Sequence, residues 1–350
     1  SATPTTESYT LRFVGSVRCV DETASPPPER TAVPATSTVR VDAADARARA
    51  RAALAAHDPA DADLAARAVV AGDASGWPEF GLALLVRELR DARERTTTGR
   101  AGTGAPSAVV TGATATLDAY DIPGPVALAA AVRRAAGLAG ALGVGVVAVR
   151  HAGGTGRVGA YVRALAEDGL VGVALAQSPA TVAPYGGTAP VVGTNPLAVA
   201  EPRAGQGRAR GVDAATSAGT RADARRRARE GTPLPDGAAL GPDGEATRDA
   251  GAVGALLPAG LLGSLLGLTV EALAGLLTGA RGDAVGRGLW VLALDPRAFG
   301  AEDLADRADR LGDDWERAGG RVPGARPDAE TFVVDRDVWD ALAPATGGTP

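Results

Sequence analysis

Apolar residues recur at helical spacing over much of the chain. Between residues 81 and 91, four of them fall on one face of a helix: Leu82, Leu85, Val86 and Leu89. Segments rich in Ala and Arg at 43–56 and 61–70 also predict helices, with Asp61 as a cap of the second. The same spacing predicts further helices at 123–142, 158–167, 221–230, 261–277 and 302–318.

Short apolar, β-branched runs predict the strands that alternate with these helices. They lie at 109–117, 144–149, 170–176, 191–199 and 289–294. Between 231 and 250, Pro-Asp-Gly occurs twice and predicts a long surface loop. Because helices and strands alternate without strict βαβ regularity, the pattern favours a mixed α/β fold.

Residues 1–37 form an extension in which Tyr9, Leu11 and Phe13 alternate with polar positions, which predicts a strand arm. A stiff run of three prolines follows at 26–28. Two interpretations stay open. The arm adds a strand to another sheet, such as that of a partner subunit, or it covers the core of its own chain.

Composition narrows the functional class. The 350 residues carry 36 basic and 41 acidic side chains, a net charge of −5, which argues against nucleic acid or an anionic membrane as the main partner. A single cysteine, Cys19, fits a reducing compartment, and two histidines leave no multi-histidine metal site. We therefore expect no metal.

The start, residues 1–7, lacks the basic and apolar stretches of a signal peptide, so we predict a cytoplasmic location. The apolar stretch 256–280 is long enough to span a bilayer. It contains Glu271, Pro258 and five glycines, which favours a buried helix instead.

A literal G-x-G-x-x-G runs from Gly154 to Gly159, after one predicted strand and before a helix. In that context Gly154 and Gly156 could let backbone N–H groups approach a pyrophosphate. The next strand ends in Gln177-Ser178, with no acidic residue for a ribose. A dinucleotide turn and an accidental match both remain open.

Three segments in order, 182–187 (VAPYGG), 193–198 (GTNPLA) and 213–217 (DAATS), resemble the malate/L-lactate dehydrogenase family. The resemblance implies a non-Rossmann mixed α/β fold with flanking helical regions, and a homodimer. It divides the chain into the extension 1–37, a helical region 38–106, a central α/β domain 107–300 and a C-terminal helical region 301–350 that packs on the N-terminal region.

Reactive side chains of the family are missing at the matching positions. Where members carry Ser-His-Gly and then Arg, this chain has Glu79-Phe80-Gly81 and Leu84, so neither the acid/base imidazole nor the carboxylate-holding guanidinium is present. Gly154 stands at a second family histidine. In a third motif, Leu262 and Ser264 replace Lys and Tyr.

The retained framework supplies the candidate site. Asp213 matches the acidic residue of the Asp-x-Ala-Thr-Ser motif, and its role is either acid/base work or the structural support of a turn. Glu79 and His151 are the alternative acid/base groups. The predicted pocket, more apolar than a carboxylate site, is lined by Phe80, Leu84, Thr194, Asn195, Leu262 and Ser264. If a dinucleotide binds, Gly154, Gly156, Thr216 and Ser217 contact it.

Three functions follow. The first hypothesis is a repurposed enzyme that cyclises, eliminates or rearranges an apolar natural-product intermediate without hydride transfer and without a cofactor. The second is an NAD(P)H-dependent reductase of a 2-oxo acid or cyclic imine, in which Asp213, Glu79 or His151 replaces the missing histidine. The third is a non-catalytic binding homologue.

Overall fold

The computed structural model describes residues 37–97, 107–120, 122–205, 209–281, 287–323 and 328–343. The predicted N-terminal strand arm and Cys19 lie outside these ranges. In chain order the strands are β1 (Thr38–Asp42), β2 (Ser107–Thr111), β3 (Thr114–Asp118), β4 (Val144–Ala152), β5 (Val171–Ala176), β6 (Leu197–Glu201), β7 (Arg210–Ala214), β8 (Ala239–Leu240), β9 (Ala246–Thr247), β10 (Ala255–Leu256), β11 (Arg287–Leu294) and β12 (Thr331–Asp335).

The α-helices are α1 (Ala43–Ala55), α2 (Ala62–Ala74), α3 (Leu82–Thr97), α4 (Gly124–Leu142), α5 (Gly159–Glu167), α6 (Arg221–Glu230), α7 (Gly260–Val270), α8 (Leu304–Arg317) and α9 (Arg336–Ala341). Two 3₁₀ turns lie at Pro78–Phe80 and Pro296–Phe299, and a π-helical segment at Glu271–Leu276 continues α7. The Asp42 carboxylate starts α1 by accepting a hydrogen bond from the Ala44 N–H at 2.7 Å.

A mixed sheet in the order β2-β3-β4-β11-β5-β6-β7 forms the centre of the described molecule. Only β3 and β4 pair in parallel; the other neighbours are antiparallel. The mixed α/β prediction is thereby confirmed. The single strand predicted at 109–117 is two strands, because Gly112, at φ +56°, turns the chain back between β2 and β3.

Side-chain alternation assigns different partners to the two faces of the sheet. Ala174 and Val291 belong to the main core with α4 and α5, which also contact each other. Their neighbours Leu175 and Trp290 point the other way and pack with Val270 and Ala274 of α7 and its π-helical extension. Helices α4 and α5 therefore cover one face, and α7 covers the opposite face.

Strand β1 pairs with β12 and so joins the beginning of the described chain to its end. The predicted domain boundaries stay predictions, but this pairing places the C-terminal residues against the N-terminal region. The predicted surface loop 231–250 contains β8 and β9, which form a small sheet with β10.

In the described ranges, one helix, α4, is long and apolar enough to cross a bilayer, and more than half of it is buried. Its small residues from Ala127 to Ala131 lie in the core. Helix α7 differs from the buried helix that we expected. Its glycines Gly263 and Gly267 face inward, whereas Leu262, Leu265 and Leu268 are exposed.

Glycine at the start of α4 is required by a close backbone approach. A Cβ at Gly124 would lie 2.3 Å from the carbonyl oxygen of Gly154. We expect Gly124→Ala to lower the free energy of unfolding by about 1–3 kcal/mol, since backbone must move to accept the methyl group. Urea denaturation of purified protein measures this change.

The matched control is Gly137 on the same helix, where a Cβ would meet nothing within 4 Å. Gly137→Ala should raise stability by about 0.5–1 kcal/mol, because alanine has the better helix propensity. Equal effects of the two substitutions would contradict the packing of Gly124 on Gly154.

Candidate functional site

The 3₁₀ turn at Pro78–Phe80 is fixed against the end of α2. A Cβ at Gly72 would lie 2.7 Å from the carbonyl oxygen of Phe80, so the two backbones are in contact. Oδ2 of Asp73 accepts a hydrogen bond from the Leu82 N–H at 2.7 Å, at the first turn of α3. This contact supplies an acceptor for a helix N–H that lacks an intrahelical partner.

The Gly-rich segment after β4 lies on this turn. Gly156 has φ +77°, and a Cβ there would be 2.8 Å from the Phe80 carbonyl oxygen. The buried Tyr161 hydroxyl donates to the carbonyl of Thr155 at 3.1 Å and holds the segment from the side of α5. The structure thus brings Phe80 and Gly156 together.

The next residue, Arg157, connects the turn to the sheet. Its Nε donates to Oδ2 of Asp213 on β7 at 3.1 Å, and its Nη1 donates to Oγ of Ser75 at 3.0 Å. The Arg157 and Asp213 side chains are only 10% and 8% exposed. The Gly156–Arg157 segment therefore contacts the Phe80 turn on one side and Asp213 on the other.

Glu79 occupies the position beside Phe80 and faces α6. Its Oε1 lies 3.4 Å from Nε of Arg226 as an ion pair, and the same buried oxygen accepts no hydrogen bond from the described residues. Burial raises the pKa of Glu79, and the charge of Arg226 opposes that rise only in part. This carboxyl group therefore retains its proton closer to neutral pH than an exposed glutamate.

A second group of candidate residues lies on the opposite face, against α7. Asn195 is fully buried at φ +35°, and its amide donates to the Gly267 carbonyl at 3.0 Å and to Oε2 of Glu271 at 2.9 Å. Its own oxygen accepts from the Ser178 N–H at 3.1 Å. Asn195 consequently ties a loop to α7.

The remaining polar candidates are engaged in similar local bonds. The Thr194 carbonyl accepts from the N–H and the hydroxyl of Thr216. The Ser217 hydroxyl donates to the Gly219 carbonyl at 2.6 Å, and Oγ of Ser264 accepts from the Tyr185 N–H at 3.1 Å.

The expected convergence of Phe80, Leu84 and Leu262 on one apolar cavity is wrong. Leu84 is 4% exposed within α3, and Leu262 is 49% exposed on α7. Helix α7 packs on the sheet face opposite to α5, whose first residue, Gly159, contacts Asp213. Leu84 therefore lies in the core, whereas Leu262 lies at the surface.

His151 is not brought to Asp213. At φ +58°, its Nδ1 lies 2.8 Å from Oδ1 of Asp118 on β3, and its ring meets the edge of Tyr120. Partial burial alone would raise the pKa of Asp118, but the contacts of His151 and Arg150 hold that pKa below its ordinary value. Since β4 and β7 are four strand spacings apart, about 19 Å separates the strand of His151 from the strand of Asp213.

The G-x-G-x-x-G does not form a dinucleotide turn. Strand β11 lies between β4 and β5, which a Rossmann unit would place side by side. The first turn of α5 is filled, because a Cβ at Gly159 would lie 2.6 Å from Cβ of Asp213. At Gly154, a Cβ would lie 2.9 Å from Oε1 of Glu88. The residues of this turn do not fit a pyrophosphate, and the hydroxyls of Thr216 and Ser217 already bind carbonyls.

An open depression of about 450 Å³ lies beside the end of α6. Arg227, Thr232, Arg248 and Asp249 are among the residues that line it, and none of the predicted site residues does. Within the described ranges, no three His, Cys, Asp or Glu side chains are grouped as metal ligands.

Residues 41–327 match the family model described as malate/L-lactate dehydrogenase. The chain belongs to the malate/L-lactate dehydrogenase family. It is 34% identical over 282 residues to the (2R)-3-sulfolactate dehydrogenase (NADP(+)) of Chromohalobacter salexigens, which covers 76% of this chain and 83% of that enzyme.

Two further relatives are reductases of cyclic imino acids. The Δ1-pyrroline-2-carboxylate reductase of Pseudomonas fluorescens is 43% identical over 47% of this chain and 54% of its own length. The crystal structure of Δ1-piperideine-2-carboxylate reductase from Pseudomonas syringae superposes with a TM-score of 0.73 at 29% identity, covering 87% of this chain and 98% of that one.

These relatives overturn the hypothesis of a non-redox cyclase or lyase. They are named as dehydrogenases and reductases, and the sulfolactate dehydrogenase matches most of its length. Chemistry without hydride transfer, the leading interpretation of the missing histidine, was therefore wrong. The family is one of oxidoreductases.

Sequence analysis missed three charged residues of this site: Arg157, Arg226 and Asp73. Arg157 stands inside the G-x-G-x-x-G, a motif that is defined by its glycines and leaves this position open to any residue. Arg226 belongs to a run of three arginines that is typical of a solvated helix face. Asp73 carries no motif, and only its burial distinguishes it.

Asp73 predicts a pH-dependent stability. Burial raises the pKa of Asp73 to about 7. The hydrogen bond from the Leu82 N–H lowers this pKa in part, and the nearby charge of Glu79 adds to the rise. Between about pH 4 and 7 the folded protein holds a proton that the unfolded chain has lost, so this group makes stability fall as pH rises. Asp73→Asn keeps an acceptor for Leu82, and its stability advantage over the wild type should grow with pH, to at most about 4 kcal/mol above pH 7.

Urea unfolding at pH 5 and pH 8 measures this difference. Asp63→Asn, an exposed carboxylate on the same helix, serves as the control and should show almost no such growth. An Asp73→Asn protein less stable than the wild type at pH 8 would show that the ionised carboxylate is the favoured form.

Proposed function

We propose that this chain is an NAD(P)H-dependent reductase of a small 2-oxo acid or cyclic imino acid. The observation that carries the proposal is the match to a sulfolactate dehydrogenase over 83% of that enzyme's length. The named substrates of the relatives, sulfolactate, pyrroline-2-carboxylate and piperideine-2-carboxylate, all contain a carboxylate. The reduced nicotinamide would supply the hydride, and we assign no residue to hold it.

Reduction of a carbonyl or imine also needs a proton on the oxygen or nitrogen. Of the three groups that could replace the missing histidine, Glu79 has the most suitable surroundings. Asp213 is paired with Arg157, and the strand that carries His151 lies about 19 Å from the strand of Asp213. Glu79 lies on the same 3₁₀ turn as Phe80. Its raised pKa favours the protonated form that a proton donor requires.

We therefore expect purified protein to oxidise NADH or NADPH in the presence of Δ1-pyrroline-2-carboxylate or Δ1-piperideine-2-carboxylate. Glu79→Gln should lower kcat by about 10²- to 10⁴-fold, the range for loss of a general acid. It should also remove the loss of rate that deprotonation of Glu79 causes at high pH. Loss of absorbance of the reduced cofactor follows the reaction.

Glu230→Gln is the control, because Glu230 also pairs with Arg226, at 2.9 Å, but does not lie on the Phe80 turn. It should retain the wild-type rate. Wild-type protein that reduces none of the carbonyl or imino acids with either cofactor would refute the proposed function. Equal losses in both variants would reject Glu79 as the donor.

The proposed enzyme acts as a homodimer that pairs through α7. Seven leucines between 261 and 277, six of them on α7 and its continuation, are exposed by 36–64%: Leu261, Leu262, Leu265, Leu266, Leu268, Leu276 and Leu277. The only charged residue between 261 and 277 is Glu271, and it is buried. This face carries exposed leucines and no exposed charge. It can pack against the same face of a second copy across a two-fold axis, which would remove the leucines of both copies from water.

Leu268→Glu should convert the dimer to a monomer, because it places a charge at the centre of this face. Sedimentation velocity at micromolar concentration measures the change. Leu142→Glu, at a leucine that is 56% exposed at the end of α4, should leave the dimer intact. A dimeric Leu268→Glu protein, or a monomeric wild type, would contradict an α7 interface.

A further inference from the structure

The central sheet ends at an open edge, strand β2. In the described sheet β2 pairs with β3 alone, so alternate residues of β2 direct their N–H and C=O groups away from any described strand. The residues from 108 to 111 are all exposed, Val109 by 71% and Val110 by 48%. Proteins commonly cover or charge such an edge, because it pairs readily with another strand. Strand β2 carries no charged residue.

The opposite edge of the same sheet, β7, is protected against further pairing. Arg210 and Asp213 place charges on that strand. Nη1 of Arg210 also donates to the Ala308 carbonyl at 2.6 Å, so α8 lies beside this edge. Charged side chains and a neighbouring helix are two of the devices that prevent strand addition. Of the two edges, β2 is therefore the one that is open to another strand.

The two faces of β2 differ in their surroundings. Val110 pairs with Ala115 of β3, which is buried in the main core, whereas Val109 pairs with Thr116, which is exposed. Because side chains paired across two strands lie on the same face, Val110 stands on the core face of the sheet. It marks the margin of the core and still meets solvent. A further strand with apolar residues on this face would continue the core past β2.

A segment near the start of the chain has the pattern that this edge requires. Tyr9, Leu11 and Phe13 alternate with polar residues. In a strand, alternate side chains point to opposite faces. Paired with β2, this segment would direct its three apolar side chains to the core face beside Val110 and its polar ones to the solvent face.

The length of the chain favours this segment over a second copy of β2. The residues from 14 to 37 span at most about 80 Å, and a globule of 350 residues is about 50 Å across. The segment therefore reaches the β2 edge of its own chain. Two copies of a five-residue strand would bury far less than the roughly 1,000 Å² of a stable interface. A tethered segment can pair without that area, because its effective concentration approaches the millimolar range.

We propose that residues 8–13 pair with β2 of their own chain and extend the central sheet by one strand. Tyr9, Leu11 and Phe13 then cover the margin of the core at Val110, and the outward N–H and C=O groups of β2 gain partners. Of the two interpretations that the sequence left open, this assigns the arm to its own core and not to a partner subunit.

Hydrogen exchange of the β2 amides in the full-length chain tests this pairing. Leu11→Asp places a carboxylate against the core margin and should raise the exchange rate of the outward amides by about 2- to 10-fold, the effect of one net hydrogen bond. Thr10→Asp is the matched control, because it adds the same charge on the solvent face, and it should keep the wild-type rates. The amides of β7 should not change in either variant. Unchanged exchange of β2 in Leu11→Asp would overturn the proposal.

Disulfide cross-linking identifies the chain that supplies the segment. Cys19 is the only cysteine in the sequence, so Leu11→Cys is combined with Val110→Cys, or with Ala108→Cys on the same face, in a Cys19→Ser background. Directly opposite positions of paired strands hold their Cβ atoms about 4.5–5.5 Å apart, within reach of a disulfide after a small shift. At least one pair should close within a single chain on mild oxidation, measured by non-reducing electrophoresis and thiol labelling.

Leu11→Cys with Val212→Cys is the control for this cross-link. Val212 is 39% exposed on β7, the protected edge, and this pair should stay reduced. Closure of the Val212 pair to the same extent would overturn the assignment to β2. A disulfide between two chains, or none in either β2 pair, would overturn the pairing of the segment with its own chain.

Discussion

The ion pair between Arg157 and Asp213 is the contact on which the geometry of the candidate site depends. Each charge is almost excluded from water, and a buried ion without its partner is strongly destabilising. The pair joins the turn after β4 to β7, and the same turn packs on the Phe80 carbonyl. The positions of Phe80, Glu79 and the Gly-rich turn are therefore coupled through one carboxylate at the sheet edge.

Insertion of β11 between β4 and β5 explains why a literal dinucleotide motif forms another structure. In a Rossmann unit the adjacent parallel strands leave the helix N-terminus open to a phosphate. Here the turn spans an antiparallel strand, and Asp213 fills the N-terminus of α5. The strand that changes the topology lies more than a hundred residues further along the chain, beyond the range of any local pattern.

Local patterns nevertheless predicted most helices and the fold class. Helix α6 was predicted at its observed bounds, and α5 within one residue. The pattern failed where tertiary contacts decide. Strand β7 is polar in sequence and gains its place by pairing with β6. The run predicted as a strand at 191–199 is a continuous strand only from Leu197, and Val192 before it forms an isolated bridge to Val182. The leucines of α7 predict a buried helix by their hydropathy, but they face outward. Small residues, Gly263 and Gly267, occupy the inner face instead.

Glu79, the proton donor that we propose, is the neighbour of Phe80 on the 3₁₀ turn. The resemblance puts an imidazole at the position of Phe80. The phenyl ring that stands there instead is half-buried and apolar, and it neighbours the carboxyl group of Glu79 in the chain. Removing water from Glu79 raises its pKa, whereas Arg226 limits the rise by favouring the ionised form. Burial is the largest influence on the pKa of Glu79, and the charges of Arg226 and Arg229 on α6 offset only part of the rise that it causes. The exclusion of water from the Phe80 turn, more than any one charged neighbour, therefore keeps this carboxyl group protonated closer to neutral pH.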